Sequence, residues 1–263
     1  MLAANPVRRS ALLAAVLLMS PLAARAGETA CWHEAGVLVV PAEVGGIAGD
    51  YFLDTGEPHT LLEETQAQAR GFAGPRARVR LAGLALTARN VTSAKLDARF
   101  WGLPTPVAGV IGADLLAGLV LDVRFAPCRI GLWKPSKAPP FRPAQTLPLA
   151  WREGRPTVLA RVADGAKVLS GAFVPATGSD TPVRLRDDLA DAPGAAKRAG
   201  LYPYGPLRPR LRALSLAGVL VENAPAGLLD HAQFPADGEI GAPVLSRWRL
   251  RFDFAAGRLE LAP

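Results

Sequence analysis

The stretch Phe52-Leu53-Asp54-Thr55-Gly56 decides how this chain is read, because a near-copy follows it: Phe173-Val174-Pro175-Ala176-Thr177-Gly178. Each places an apolar run, the mark of a buried strand, directly before a small polar turn. The Thr-Gly pair stands in both copies, whereas the acid Asp54 is answered by Ala176. Glycine after the threonine lets another backbone approach closely, which a side chain would block.

Three more landmarks recur in the same order, so the chain contains an internal repeat. A short helical piece ends at a glycine in Ala67-Gln68-Ala69-Arg70-Gly71-Phe72 and again in Ala196-Lys197-Arg198-Ala199-Gly200-Leu201. Alternation around a central glycine predicts a hairpin over Val79–Leu86 and its counterpart over Leu214–Val221. Val110-Ile111-Gly112-Ala113-Asp114-Leu115-Leu116 then matches Glu239-Ile240-Gly241-Ala242-Pro243-Val244-Leu245, and a hairpin follows each, from Leu121 and from Leu250. The spacing from Asp54 to Gly112 is 58 residues and from Ala176 to Gly241 it is 65, a difference of one loop.

Between the halves, Lys134-Pro135-Ser136-Lys137-Ala138-Pro139-Pro140-Phe141-Arg142-Pro143 has too many prolines for regular helix and reads as an exposed linker. The organisation expected is a leader over 1–26, a first lobe over 27–134, a linker over 135–145 and a second lobe over 146–263. Short strands punctuated by Gly and Pro predict an all-β chain whose lobes are closed or strongly curled barrels.

The leader reads as a cleavable signal peptide: Arg8-Arg9, an apolar run from Ala11 to Leu18, then Ala24-Arg25-Ala26. Ser10-Ala11-Leu12-Leu13 matches a twin-arginine pattern only in part. The run is shorter than the roughly 20 residues of a spanning helix, so the expectation is a periplasmic or secreted protein without a stable membrane anchor. Net charge is +7, and +4 once Arg8, Arg9 and Arg25 are set aside. The basic residues are scattered among acids, which argues against a nucleic-acid partner. Cys31 and Cys128 read either as one disulfide in an oxidising compartment or as two buried thiols. His33, His59 and His231 stand too far apart for a metal site, and no phosphate loop, dinucleotide fingerprint or Gly-x-Ser-x-Gly elbow is present, so neither metal nor cofactor is expected.

With Thr60 six residues past Asp54 and Val110-Ile111-Gly112 following, the chain after residue 26 resembles the retropepsin-like, pepsin-related aspartic proteases over nearly its whole length. The resemblance implies two acid-protease lobes related by a pseudo-two-fold axis, with Asp54 catalytic. It places Thr55, Gly56, Ala176, Thr177 and Gly178 at the active-site turns and lobe interface, and Ile111, Gly112, Ile240 and Gly241 behind the turns. In that family two carboxyls about 3 Å apart share one proton, so one activates water while the other donates to the peptide carbonyl.

Three departures bear on this chemistry: Ala176 replaces the second aspartate, Glu57 stands where the family has Ala or Ser, and Pro182 takes the place equivalent to Thr60. One consequence is an exported aspartic-type peptidase whose dyad is completed by another acid, such as Asp180 or Asp54 of a second copy in a homodimer. The alternative is a catalytically dead pseudoprotease that binds extended peptides by strand addition. A third is an envelope-associated β protein that keeps only the fold. In each of the first two the partner is a peptide or protein.

Asp114, Asp122, Asp237 and Asp253 read as turn or surface acids, His59 as a loop histidine, and Trp101 and Trp133 as core or rim aromatics. The candidate flap is the first hairpin, roughly Arg78 to Val91. Its Arg78, Arg80 and Arg89 suit acidic or polar peptides, or simply a solvated hairpin.

Overall fold

A computed structural model describes residues 27–34, 36–88, 90–96, 103, 105–164, 167–190 and 207–263. The expected signal peptide, the second glycine-terminated helix around Gly200, Trp101 and Arg89 lie outside the described residues.

The described strands form three sheets. In the first, the long hairpin Val37–Val44/Ile47–Leu53 carries the Asp54 turn at its end. Ile47–Leu53 pairs in parallel with Gly109–Ile111, which pairs antiparallel with Leu61–Glu63, and Thr92–Ala94 follows on the far side. Ala77–Leu81 and Leu84–Ala88 complete the other edge, and Trp32–Glu34 joins Val37–Val44.

The second sheet repeats this plan. Lys167–Ala176 ends at the Ala176 turn and pairs in parallel with Gly238–Gly241, which pairs antiparallel with Val183–Arg186. The hairpin Leu207–Leu216/Val219–Leu229 follows, and Leu207–Leu216 returns to pair with Arg155–Asp164, closing a ring of strands. Both short hairpin turns have the predicted chemistry: Ala82-Gly83 and Ala217-Gly218 all have positive φ, between 49° and 79°. Such a pair of positive φ angles matches the twist of the flanking strands.

The repeated C-terminal hairpins do not remain separate. Val120–Phe125 of one pairs antiparallel with Arg249–Asp253 of the other, placing Asp122 opposite Arg251. Glu28–Ala30, Cys128–Trp133, Arg258–Ala262 and Gln145–Pro148 extend this into a six-stranded sheet beneath both halves. Gln145–Pro148 follows the proline-rich segment, in which Pro135–Lys137 forms one 3₁₀ turn.

Alternation along the strands sorts side chains onto two faces. Leu38, Val40, Tyr51, Leu53, Ile111, Phe173, Ile240, Leu250 and Phe252 enter one continuous core beneath the turns. The opposite faces form two smaller clusters, Val37, Val39, Phe52 and Val110 in the first half and Val174, Ala176, Phe234 and Ala236 in the second. Cys31 and Cys128 form a disulfide, which settles the two readings left by the sequence. No helix among the described residues is long and apolar enough to cross a membrane.

Candidate active site at the lobe seam

The two turns meet face to face. A Cβ built on Gly178 would lie 2.5 Å from the Asp54 Cβ, and one built on Gly56 would lie 2.6 Å from the Ala176 Cβ. Each glycine is therefore required by the residue opposite it, since any side chain there would displace the partner turn. Asp54 is 3% exposed, and its Oδ1 accepts from the Gly56 amide at 2.8 Å, which fixes the carboxylate within its own turn.

The threonines lock the turns together. The Thr55 amide donates to Thr177 Oγ1 and the Thr177 amide to Thr55 Oγ1, both at 3.2 Å. The Thr177 hydroxyl donates to the Leu53 carbonyl at 2.5 Å, and the Thr55 hydroxyl donates to the Pro175 carbonyl. Each hydroxyl thus accepts from one backbone and donates to another across the seam, which a hydroxyl alone among small side chains can do.

Behind each turn the support differs in a way the sequence hinted at. The Gly112 amide donates to Thr60 Oγ1 at 3.3 Å, and Thr60 donates to Asp114 Oδ1 at 2.8 Å. In the second half, where Pro182 stands for Thr60, the Gly241 amide donates to the Pro182 carbonyl at 3.0 Å. A backbone acceptor replaces the hydroxyl, so the turn keeps its support although the side chain has gone. Gly112 and Gly241 pack against the carbonyls of His59 and Thr181, leaving no room for a Cβ, while Ile111 and Ile240 are fully buried.

Several acids read from the sequence as turn or surface groups have defined structural partners. Asp114 anchors Thr60, Asp237 Oδ2 accepts from the Ala172 amide at 2.8 Å, and Asp122 holds Arg251 in a two-pronged pair at 2.6 and 2.8 Å. Asp253 accepts from the Ala256 amide and from Arg258, as a hairpin-turn acid does. Asp180 is exposed and accepts from the Thr181 hydroxyl at 3.1 Å. His59 is exposed, and Trp133 packs against Gly27 and Gly131 in the shared sheet.

The candidate flap is corrected by its position. Its first strand buries Val79 and Leu81 in the main core, and its turn accepts from the Gly27 amide at the Ala82 carbonyl, 3.0 Å away. Leu86 and Thr87 line a groove with Asp114 and Leu115, behind the Asp54 turn. A hairpin tied down at both its tip and its outer strand does not cover the seam. Arg80 there pairs weakly with Glu43 at 3.6 Å.

Sequence reasoning missed a reciprocal interlock. The turn at Gly36 touches the Asp180 backbone and Pro243 of the other half, and the turn at Gly154 touches Pro58 of the first half. Beside Gly154, Arg155 donates to the Gly56 carbonyl and stacks over Phe234 at 5.3 Å. The available signal was a turn glycine, Gly36 or Gly154, just before the first long strand of each half. Also missed was a partly buried ion pair beside the Ala176 turn: Arg184 binds Glu239 Oε1 at 2.5 Å and Ser179 Oγ at 3.3 Å.

No family model matches the sequence, and no curated protein matches it. The structure superposes on the aspartic proteinase from Irpex lacteus with a TM-score of 0.50. The match covers 90% of this chain and 96% of that one, at 14% identity. The chain has the two-lobe aspartic protease fold. Within that fold Asp54 and Ala176 take equivalent places on the two turns, an acid facing a methyl group across the seam.

Proposed function

We propose that this chain is an exported, aspartic-type peptidase-like protein that engages extended peptides at the lobe seam, with Asp54 as the carboxylate that holds the attacking water. The observation that carries the reading is the preserved Asp54 turn, its carboxylate held by the Gly56 amide and its backbone locked by Thr55 and Thr177. The retropepsin-like branch remains the closest description of the sequence motifs. The disulfide fits an oxidising compartment and so supports export.

Hydrolysis by this route needs a second acid to protonate the scissile carbonyl. The Ala176 methyl against Gly56 favours a second reading, a pseudoprotease that binds peptides at the seam without cutting them. Both readings are tested by assaying unstructured peptides between pH 3 and 7, on the order of the range in which carboxyl pairs titrate. Cleavage by the native protein that disappears in Asp54→Asn establishes the peptidase. A silent native protein whose Ala176→Asp variant gains acid-pH cleavage establishes that only the second carboxyl is missing. If neither cleaves and no peptide binds, both readings fail.

A further inference from the structure

The geometry points to Arg155 as the specificity determinant of the seam, reading an acidic side chain on the bound peptide. The inference rests on the reading of the seam as a peptide-binding site. Arg155 reaches the Asp54 turn from the opposite lobe, donating to the Gly56 carbonyl while its planar group lies over the buried Phe234 ring. These two contacts fix the guanidinium by one donor and one face. Among the described residues its other N–H groups bond no acceptor, and they form a fork that matches a carboxylate in two parallel bonds.

The charge balance singles out this residue. Phe234 belongs to the cluster with Val174 and Ala176, and Val174 lies against Gly56, so the cluster lines the seam. Two arginines border it. Arg184 is neutralised by Glu239, but no carboxylate among the described residues lies within ion-pair distance of Arg155. A half-buried guanidinium has lost part of its water and gains from an arriving anion. An extended peptide laid across this part of the seam meets the Arg155 guanidinium beside the apolar Phe234 cluster. The basic residues of the Ala77–Ala88 hairpin, which tempt the same conclusion from sequence, lie behind the turn and take no part.

The test measures binding, not cleavage, using the native protein and fluorescently labelled extended peptides that differ only in Glu against Gln at successive positions. The expected result is that Glu at one position binds at least about tenfold more tightly than Gln, the scale of a hydrogen bond to a charged group. Arg155→Gln should abolish that preference while leaving the affinity for the Gln peptide within roughly threefold, and Arg155→Lys should restore part of it. Binding of Glu and Gln peptides without distinction overturns the inference and leaves the peptide-binding reading standing. Absence of binding by any peptide overturns both. A preference that survives in Arg155→Gln moves the anion site elsewhere and also overturns the inference. The Glu-against-Gln comparison uses the native protein, so it stands even if a variant fails to fold.

Discussion

Thr55 and Thr177 exchange hydrogen bonds as mirror partners, each amide 3.2 Å from the other's hydroxyl. Both are fully buried, so replacing either hydroxyl leaves an amide and a carbonyl without partners in a dry seam. Thr177→Val keeps the shape and removes the hydroxyl, orphaning the Thr55 amide and the Leu53 carbonyl. At about 1–3 kcal/mol per orphaned buried group, the expected loss is about 2–6 kcal/mol by urea unfolding. Thr177→Ser, which keeps the hydroxyl, should lose well under half of that. Because Val keeps the methyl group and lacks only the hydroxyl, a Thr177→Val variant no less stable than Thr177→Ser would refute the interlock.

The shared sheet offers a second test. Arg251 is 7% exposed, binds Asp122 with two short bonds and lies 4.7 Å from the Phe141 ring. The pair joins the two halves at the centre of the sheet. Removing one member strands a buried charge, so Arg251→Met is expected to cost about 3–5 kcal/mol. Asp122→Leu in the Arg251→Met background should recover much of this, because two apolar groups in a packed sheet leave no charge behind. A double-mutant cycle that sums to the single losses would mean that the two residues act independently.

Much of this fold was legible because its signals are local. Phe52–Gly56 and Phe173–Gly178 each combine a strand and a turn within six residues, and Ala82-Gly83 and Ala217-Gly218 encode their hairpins outright. Contacts fixed only by tertiary pairing were not legible. Nothing in the periodicity of Val120–Phe125 announces Arg249–Asp253 as its neighbour, since either strand would pair equally well within its own hairpin. The same limit hid Arg155, whose role depends on Gly154 meeting Pro58 some 100 positions away. The flap assignment failed for a related reason: a hairpin and its charges are visible in sequence, but the face on which it lands is not. Pro182 shows the converse, a lost side chain whose work a backbone carbonyl took over.

The Cys31–Cys128 bridge spans 97 residues and ties the strand entering the first lobe to the shared sheet, where Cys128–Trp133 pairs with Glu28–Ala30. Closing so long a loop restricts the unfolded chain, with an upper estimate of about 4–5 kcal/mol. Cys31→Ser/Cys128→Ser should lower the unfolding free energy by up to that amount, and reductant should shift the native protein but not the variant. An unchanged midpoint on reduction would show that the bridge contributes little beyond the packing of its strands.

Two histidines should titrate on opposite sides of the ordinary histidine value of about 6.5. Burial pushes His33 down: its ring packs edge-on against Phe125 at 4.9 Å, and its Nε2 is buried with no hydrogen-bond partner among the described residues. His231 is exposed and pushed up by the Asp187 carboxylate, 2.7 Å from its Nδ1. For His33 the unfolded chain takes up the proton first, so stability falls as pH drops below the unfolded value. For His231 the folded chain holds the proton longer, so its small contribution is complete below the unfolded value and disappears as pH rises through the folded one. Proton NMR of the imidazole signals should resolve both shifts. Asp187→Asn should bring His231 back toward the ordinary value and leave His33 unmoved; a common shift of both would mean that net charge, not these two local environments, sets their titration.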